Sequence, residues 1–175
     1  MRWIPLLLIL SFTLIGGINI YKHETRLTQR GFYLIGLTYL TLLEIIVFTP
    51  ISFDSSTIYV MPLGIGRVNL TQLDIFNLGF FENIVLTVPL GMMIKWSFEK
   101  MSLVKMSMIG LLIGSSIETI QYYLSHVFLI NRSSDINDVL ANGIGIIVGA
   151  ILVSSFAYLL RRTSLKIPLI ARLEK

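Results

Sequence analysis

The chain has 175 residues, 54% of them hydrophobic and only 14% charged, and its mean hydropathy is +0.79. Soluble domains carry about 25% charged residues, so this chain has too little charge to coat a soluble surface, and it is too apolar to be disordered over most of its length. The absence of cysteine excludes a disulfide framework and a Cys-ligated metal site, while the net charge of +4 turns attention to where the basic residues fall.

Five apolar runs follow one another, over residues 4–21, 32–49, 83–98, 103–124 and 139–160. Most approach or exceed the 18–20 or so residues that cross a hydrocarbon layer. Buried helices of a soluble protein would need polar faces that these runs lack. The first run follows a charged start, Arg2, as a signal peptide would. No small-x-small cleavage site precedes Ile20-Tyr21-Lys22-His23, so the run reads as a retained span. The second run carries one carboxylate, Glu44. A long connection over 50–82 follows. Its middle, 58–66, is apolar but broken by Pro62, Gly64 and Gly66, so it cannot span and is expected at the outer interface or dipping back between helices. Asn69-Leu70-Thr71 matches a glycosylation sequon, a triplet common by chance. Pro89 interrupts the third run, which membrane helices tolerate when neighbours re-satisfy the freed carbonyl.

Basic residues set the expected orientation. Lys22, Arg26, Arg30, Lys95, Lys100, Lys105, Arg161, Arg162, Lys166, Arg172 and Lys175 fall on one side of a five-span topology. Only Arg2, Arg67 and Arg132 fall on the other. The fold class expected is therefore all-α: a polytopic membrane helical bundle of five transmembrane helices, N-terminus outside and C-terminus in the cytoplasm. The basic flanks then meet anionic lipid. Nucleic acid is not expected as a partner, because no basic stripe is interleaved with stacking aromatics.

The fourth run holds the second intramembrane carboxylate, Glu118, which by its cost in a bilayer is a functional candidate. Gln121 and Ser125 follow at i+3 and i+7, on the same helix face. Beyond the turn that contains Arg132, the residues Asp135, Asp138 and Asn142 repeat that spacing, continued by Gly145 and Gly149. The two glycines form a G-x-x-x-G pair that admits a close helix neighbour. A short turn makes the last two helices antiparallel, so Glu118 and Asn142 are expected at similar depth. Asn83, Glu118, Gln121, Arg132, Asp135, Asp138 and Asn142 are the residues expected to line a polar pocket open to the outside. Arg132 offers a planar fork for a carboxylate or phosphate. Asn83, Gln121 and Asn142 would orient that group, and Glu118 could exchange a proton. Asp135 has a plainer reading as a helix N-cap. Two histidines, His23 and His126, are too few for a His-rich metal site. No metal or cofactor is expected, although an oxygen site for Ca²⁺ or Mg²⁺ from Glu118, Asp135 and Asp138 is conceivable. No G-x-S-x-G, H-E-x-x-H or P-loop is present.

The sequence resembles the VanZ-like family of bacterial membrane proteins. The resemblance rests on Arg67-Val68-Asn69-Leu70, on the stretch from Glu82 to Gly91, on Ser116-Ile117-Glu118-Thr119-Ile120-Gln121 and on the stretch from Arg132 to Gly145. Set against the family's N-x-x-x-F-x-P-x-G, S-x-x-I-E-x-x-Q and R-x-x-D-x-x-D-x-x-x-N-x-x-G patterns, these stretches come in the same order, with Thr87 standing where an aromatic residue is usual and Gly114 at the serine position of the second pattern, whose Ile117-Glu118 and Gln121 fit. The resemblance covers roughly residues 33–153. It divides the chain into an extra N-terminal span and cytoplasmic loop (1–31), a VanZ-like membrane domain (32–160) and a basic cytoplasmic tail (161–175). It implies a multi-pass protein of the bacterial cell membrane whose name-giving relative is associated with resistance to the glycopeptide teicoplanin, and no catalytic activity comes with it. The partners implied are the bilayer and a lipid-linked envelope precursor or a glycopeptide. Three functions follow: binding an envelope or antibiotic ligand at the outer leaflet, an intramembrane enzyme acting on a lipid-linked precursor, or a small transporter subunit.

Overall fold

The computed structural model describes residues 1–54 and 57–162. Helix α1 runs from Ile4 to His23, α2 from Leu27 to Phe48, α3 from Leu78 to Ser97, α4 from Leu103 to Phe128 and α5 from Ile136 to Arg162. All five are long and apolar enough to cross a membrane. Little of each helix is covered by protein. Leu7, Phe12 and Leu14 on α1, for example, are all more than half exposed, as side chains facing acyl chains would be. From residue 163 on, the expected basic tail lies outside the described residues.

The helix limits have local causes. Pro5 sits in the first turn of α1, where a missing N–H costs nothing, and Lys22 and His23 in its last turn complement the helix dipole. Helix α2 stops at Phe48 because Thr49 precedes Pro50, and proline drives the residue before it out of the helical region; Thr49 is extended. Helix α3 begins five residues earlier than hydropathy alone suggests. Asn77 caps it, its Oδ1 accepting from Phe80 N at 2.8 Å, so Phe81, Glu82 and Asn83 are helical.

The long connection adds a little β-structure to the helical fold. Strands β1 (Ile51–Asp54) and β2 (Thr57–Val60) form an antiparallel hairpin that pairs Ile51 with Val60 and Phe53 with Ile58. Strand β3 (Val68–Asn69) pairs in parallel with β4 (Ser134–Asp135).

Two compact units interleave along the sequence. The first comprises Met1–Gln72 and Ser116–Ile136. In it α1 and α2 pack antiparallel. Thr13 and Thr41 share a hydroxyl hydrogen bond of 2.8 Å, and Gly16 lies against Leu37. The second unit comprises Leu73–Ser115 and the described residues from Asn137 on. Its helices meet backbone to backbone. A Cβ on Gly145 would lie 2.2 Å from Thr87 Oγ1, one on Gly149 2.2 Å from Val88 O, and one on Gly91 2.2 Å from Ile146 O. These contacts press α3 onto α5. On the other side of α5, a Cβ on Gly114 would lie 2.7 Å from Val139 O. Thr87 is buried in this seam and donates to Asn142 O at 3.1 Å, which explains why a small hydroxyl side chain sits there. Met106, Ile146 and Ala150 are fully buried beside it.

Candidate functional site

The site is organised by the turn after α4. The backbone is left-handed at Leu129 (φ 55°) and at Asn131 (φ 62°). Asparagine tolerates this region, but for leucine it is uncommon and strained. The reversal lays residues 130–135 alongside 64–69. Gly64 bridges Ile130, and Gly66 N donates to Asn131 Oδ1 at 3.1 Å. Ser134 N donates to Arg67 O at 2.8 Å. Gly66 has a φ of +74°, and a Cβ on it would lie 1.9 Å from the Arg132 carbonyl oxygen, so only glycine fits. Asn69 locks its own turn, its Oδ1 accepting from Gln72 N at 2.9 Å, while its Nδ2 donates to Asp135 Oδ1 at 3.0 Å.

Against this turn stands the polar stripe of α4, one face of a 3.6-residue helix. Asp135 N donates to Glu118 Oε2 at 2.8 Å, and Ser134 Oγ donates to Glu118 O at 2.9 Å. Ser125 Oγ donates to Arg132 O at 2.9 Å and accepts from Arg132 N at 2.8 Å. Gln121 Nε2 donates to Val47 O near the end of α2, at 3.0 Å. Glu118, Gln121 and Ser125 are all buried. Among the described residues, Gln121 Oε1 is buried with no hydrogen-bond partner.

Arg132 turns its Nε and one terminal nitrogen toward the end of α2. Its Nε donates to Thr49 O at 3.0 Å, and one terminal nitrogen donates to both Ile46 O and Ile51 O. The physical reason lies in α2. The last carbonyls of a helix have no intrahelical partner and carry its negative dipole end, and a guanidinium supplies several donors in one plane. Burial moves the Arg132 guanidinium below its usual pKa, while the nearby Tyr59 oxygen acts in the opposite direction.

Glu118, Gln121, Arg132 and Asp135 thus converge in the first unit. Asn83, Asp138 and Asn142 belong to the second. There the main-chain carbonyls of Asn83 and Asn142 share the single proton of Thr87 Oγ1, at 2.9 and 3.1 Å, and Asp138 occupies the first turn of α5, where the helix dipole favours a carboxylate. His126 is exposed, its ring nitrogen 2.7 Å from Tyr122 O. Among the described residues no group of three or more His, Asp or Glu side chains is placed to hold a metal ion. Sequence reasoning passed over Ser134, Asn69, Thr49 and Asn137. Asn137 Oδ1 accepts from Asp74 N at 2.9 Å. Ser134 and Asn137 stand inside the stretch from Arg132 to Gly145, and Asn69 inside both the Arg67–Leu70 stretch and the sequon, but none of them at a position with an expected role. Thr49 carried no signal, since its carbonyl accepts from Arg132 while its hydroxyl serves only its own turn, donating to Ile45 O and accepting from Ile51 N.

Residues 3–160 match the VanZ/LLP1 family. The chain belongs to that family. No curated protein and no solved structure matches it. The region matched in this VanZ/LLP1 protein takes in α1 as well as both units of the helical fold. It is a VanZ-like protein with membrane-spanning helices.

Proposed function

We propose that this VanZ/LLP1-family protein is a multi-pass protein of the bacterial cell membrane that binds a donor-rich envelope or antibiotic ligand beside Glu118, Gln121 and Asp135. The observation that carries this reading is the buried Gln121 Oε1, which has no partner among the described residues and lies one helical turn from Glu118. A buried acceptor left unpaired costs about 1–3 kcal/mol, and an N–H or O–H group of a ligand would recover it. The engagement of Arg132 with three carbonyls favours such a donor over an anion as the ligand's anchoring group. Glycopeptides of the teicoplanin type and lipid-linked envelope precursors are both rich in amide N–H and hydroxyl groups.

The site opens to the outside in this reading. Arg2 donates to Met61 O at 2.5 Å, and the 64–69 segment holds the turn after α4. The N-terminus, the long connection and the Arg132 turn therefore share one side, the side poor in basic residues. Binding in nanodiscs tests the proposal, with teicoplanin and a lipid-linked peptidoglycan precursor as the two probes. Gln121→Leu is expected to weaken the binding of one of them about tenfold, equivalent to about 1.4 kcal/mol. Unchanged binding would move the site elsewhere, and no binding of either probe by the wild-type protein would remove the reading.

A further inference from the structure

The β1–β2 hairpin has an apolar face that no part of its own unit covers. Cross-strand pairing puts Ile51 opposite Val60 and Phe53 opposite Ile58 on one face, because successive side chains alternate and paired residues share a side. Phe53 is 53% exposed, Ile58 76% and Val60 51%. Ser52 and Tyr59 pair on the opposite face. On that face Ser52 is half-buried and Tyr59 is 42% exposed, less than Phe53, Ile58 or Val60.

Both ends of the hairpin are fastened at the ends of membrane-spanning helices. Only Thr49 and Pro50 separate β1 from α2, and both are buried. Met61, directly after β2, has its carbonyl held by Arg2, two residues before α1 begins. Trp3 sits beside that arginine, its ring 5.9 Å from the guanidinium carbon, in the position that interfacial tryptophans favour. The hairpin is therefore tethered at both ends where α1 begins and α2 stops.

We propose that the β1–β2 hairpin lies in the lipid–water interface, with its Phe53, Ile58 and Val60 face seated in the acyl boundary of the bilayer. The hairpin is a β counterpart of an interfacial amphipathic helix. A second copy of the chain and bulk water are the competing surroundings.

The absence of cysteine makes the test direct. Single-cysteine variants Ser52→Cys, Phe53→Cys, Ile58→Cys, Tyr59→Cys and Val60→Cys carry a nitroxide in phosphatidylcholine–phosphatidylglycerol vesicles. Leu8→Cys on α1 reports correct insertion. Collision with oxygen, which concentrates in lipid, is compared with collision with a water-soluble nickel chelate. The expected result is a period-two alternation: labels at 53, 58 and 60 favour oxygen, and labels at 52 and 59 do not. Loss of the alternation, with every hairpin label reached by the chelate, would overturn the proposal. So would shielding of 53, 58 and 60 from both agents together with spin–spin broadening that grows with the protein-to-lipid ratio, which would seat a second copy on this face.

Discussion

Replacing Arg132 by methionine keeps much of the side-chain volume and removes every donor. Three carbonyls, on Ile46, Thr49 and Ile51, lose their partner together. Two of them, on Ile46 and Thr49, close the end of α2, where no backbone N–H can replace the guanidinium. An orphaned buried acceptor costs about 1–3 kcal/mol. Water reaching one of the three would spare part of that, so the loss expected is about 3–6 kcal/mol. For a chain of this length 1 kcal/mol corresponds to about 2–4 °C in Tm, so the variant should melt roughly 6–24 °C below the wild type. Arg132→Lys should fall in between, because an ammonium is a single point on a flexible stem and cannot span the three acceptors as a planar fork does. The measurement is thermal unfolding in detergent micelles, followed by circular dichroism with tryptophan fluorescence as a second probe. An Arg132→Met protein that melts within 2 °C of the wild type, on the scale set by the same relation, would show that α2 does not depend on this cap.

The glycine seam of the second unit makes a separate prediction. Gly145→Ala and Gly149→Ala each place a Cβ 2.2 Å from Thr87 Oγ1 or Val88 O, and should cost about 1–3 kcal/mol or more in the same melting assay. Gly31→Ala in α2, where a Cβ meets nothing within 4 Å, should instead be neutral or stabilise by about 0.5–1 kcal/mol; a destabilised Gly31→Ala would argue against close contact as the cause. The orientation is checked with fused reporters. A reporter after Lys175 should be cytoplasmic and one inserted after Gln72 external, and finding both on one side would refute the five-span topology read from the basic residues.

Hydropathy was enough to locate all five helices, since runs of that length and composition are what a spanning helix needs. Their ends were harder to read. The early start of α3 depends on one asparagine cap, and a cap stabilises locally without changing mean hydropathy. The hairpin was unreadable for a related reason. Its strands are four residues each, so Ile51-Ser52-Phe53-Asp54 alternates over the shortest length that can mark a strand, and Thr57-Ile58-Tyr59-Val60 does so only weakly. At the site, the spacing of Glu118, Gln121 and Ser125 on one helix face was legible because helical periodicity is fixed. The partner of Arg132 was not. A charged residue among apolar spans suggests an external anion, yet its acceptors are main-chain carbonyls, which every residue possesses and no sequence pattern advertises.

That last point carries an asymmetry of a different kind. Arg132 and Gln121 spend side chains, whereas the residues they hold, Ile46, Val47, Thr49 and Ile51, contribute only carbonyl oxygens to these bonds. One side of the contact is written in side-chain identity and the other is blind to it. At Ile46 and Ile51, where neither side chain is fully buried, substitution by any residue that keeps the backbone path leaves the carbonyl in place. Evolutionary drift at the end of α2 can therefore proceed without loosening the turn after α4, while a single codon change at Arg132 releases three carbonyls at once.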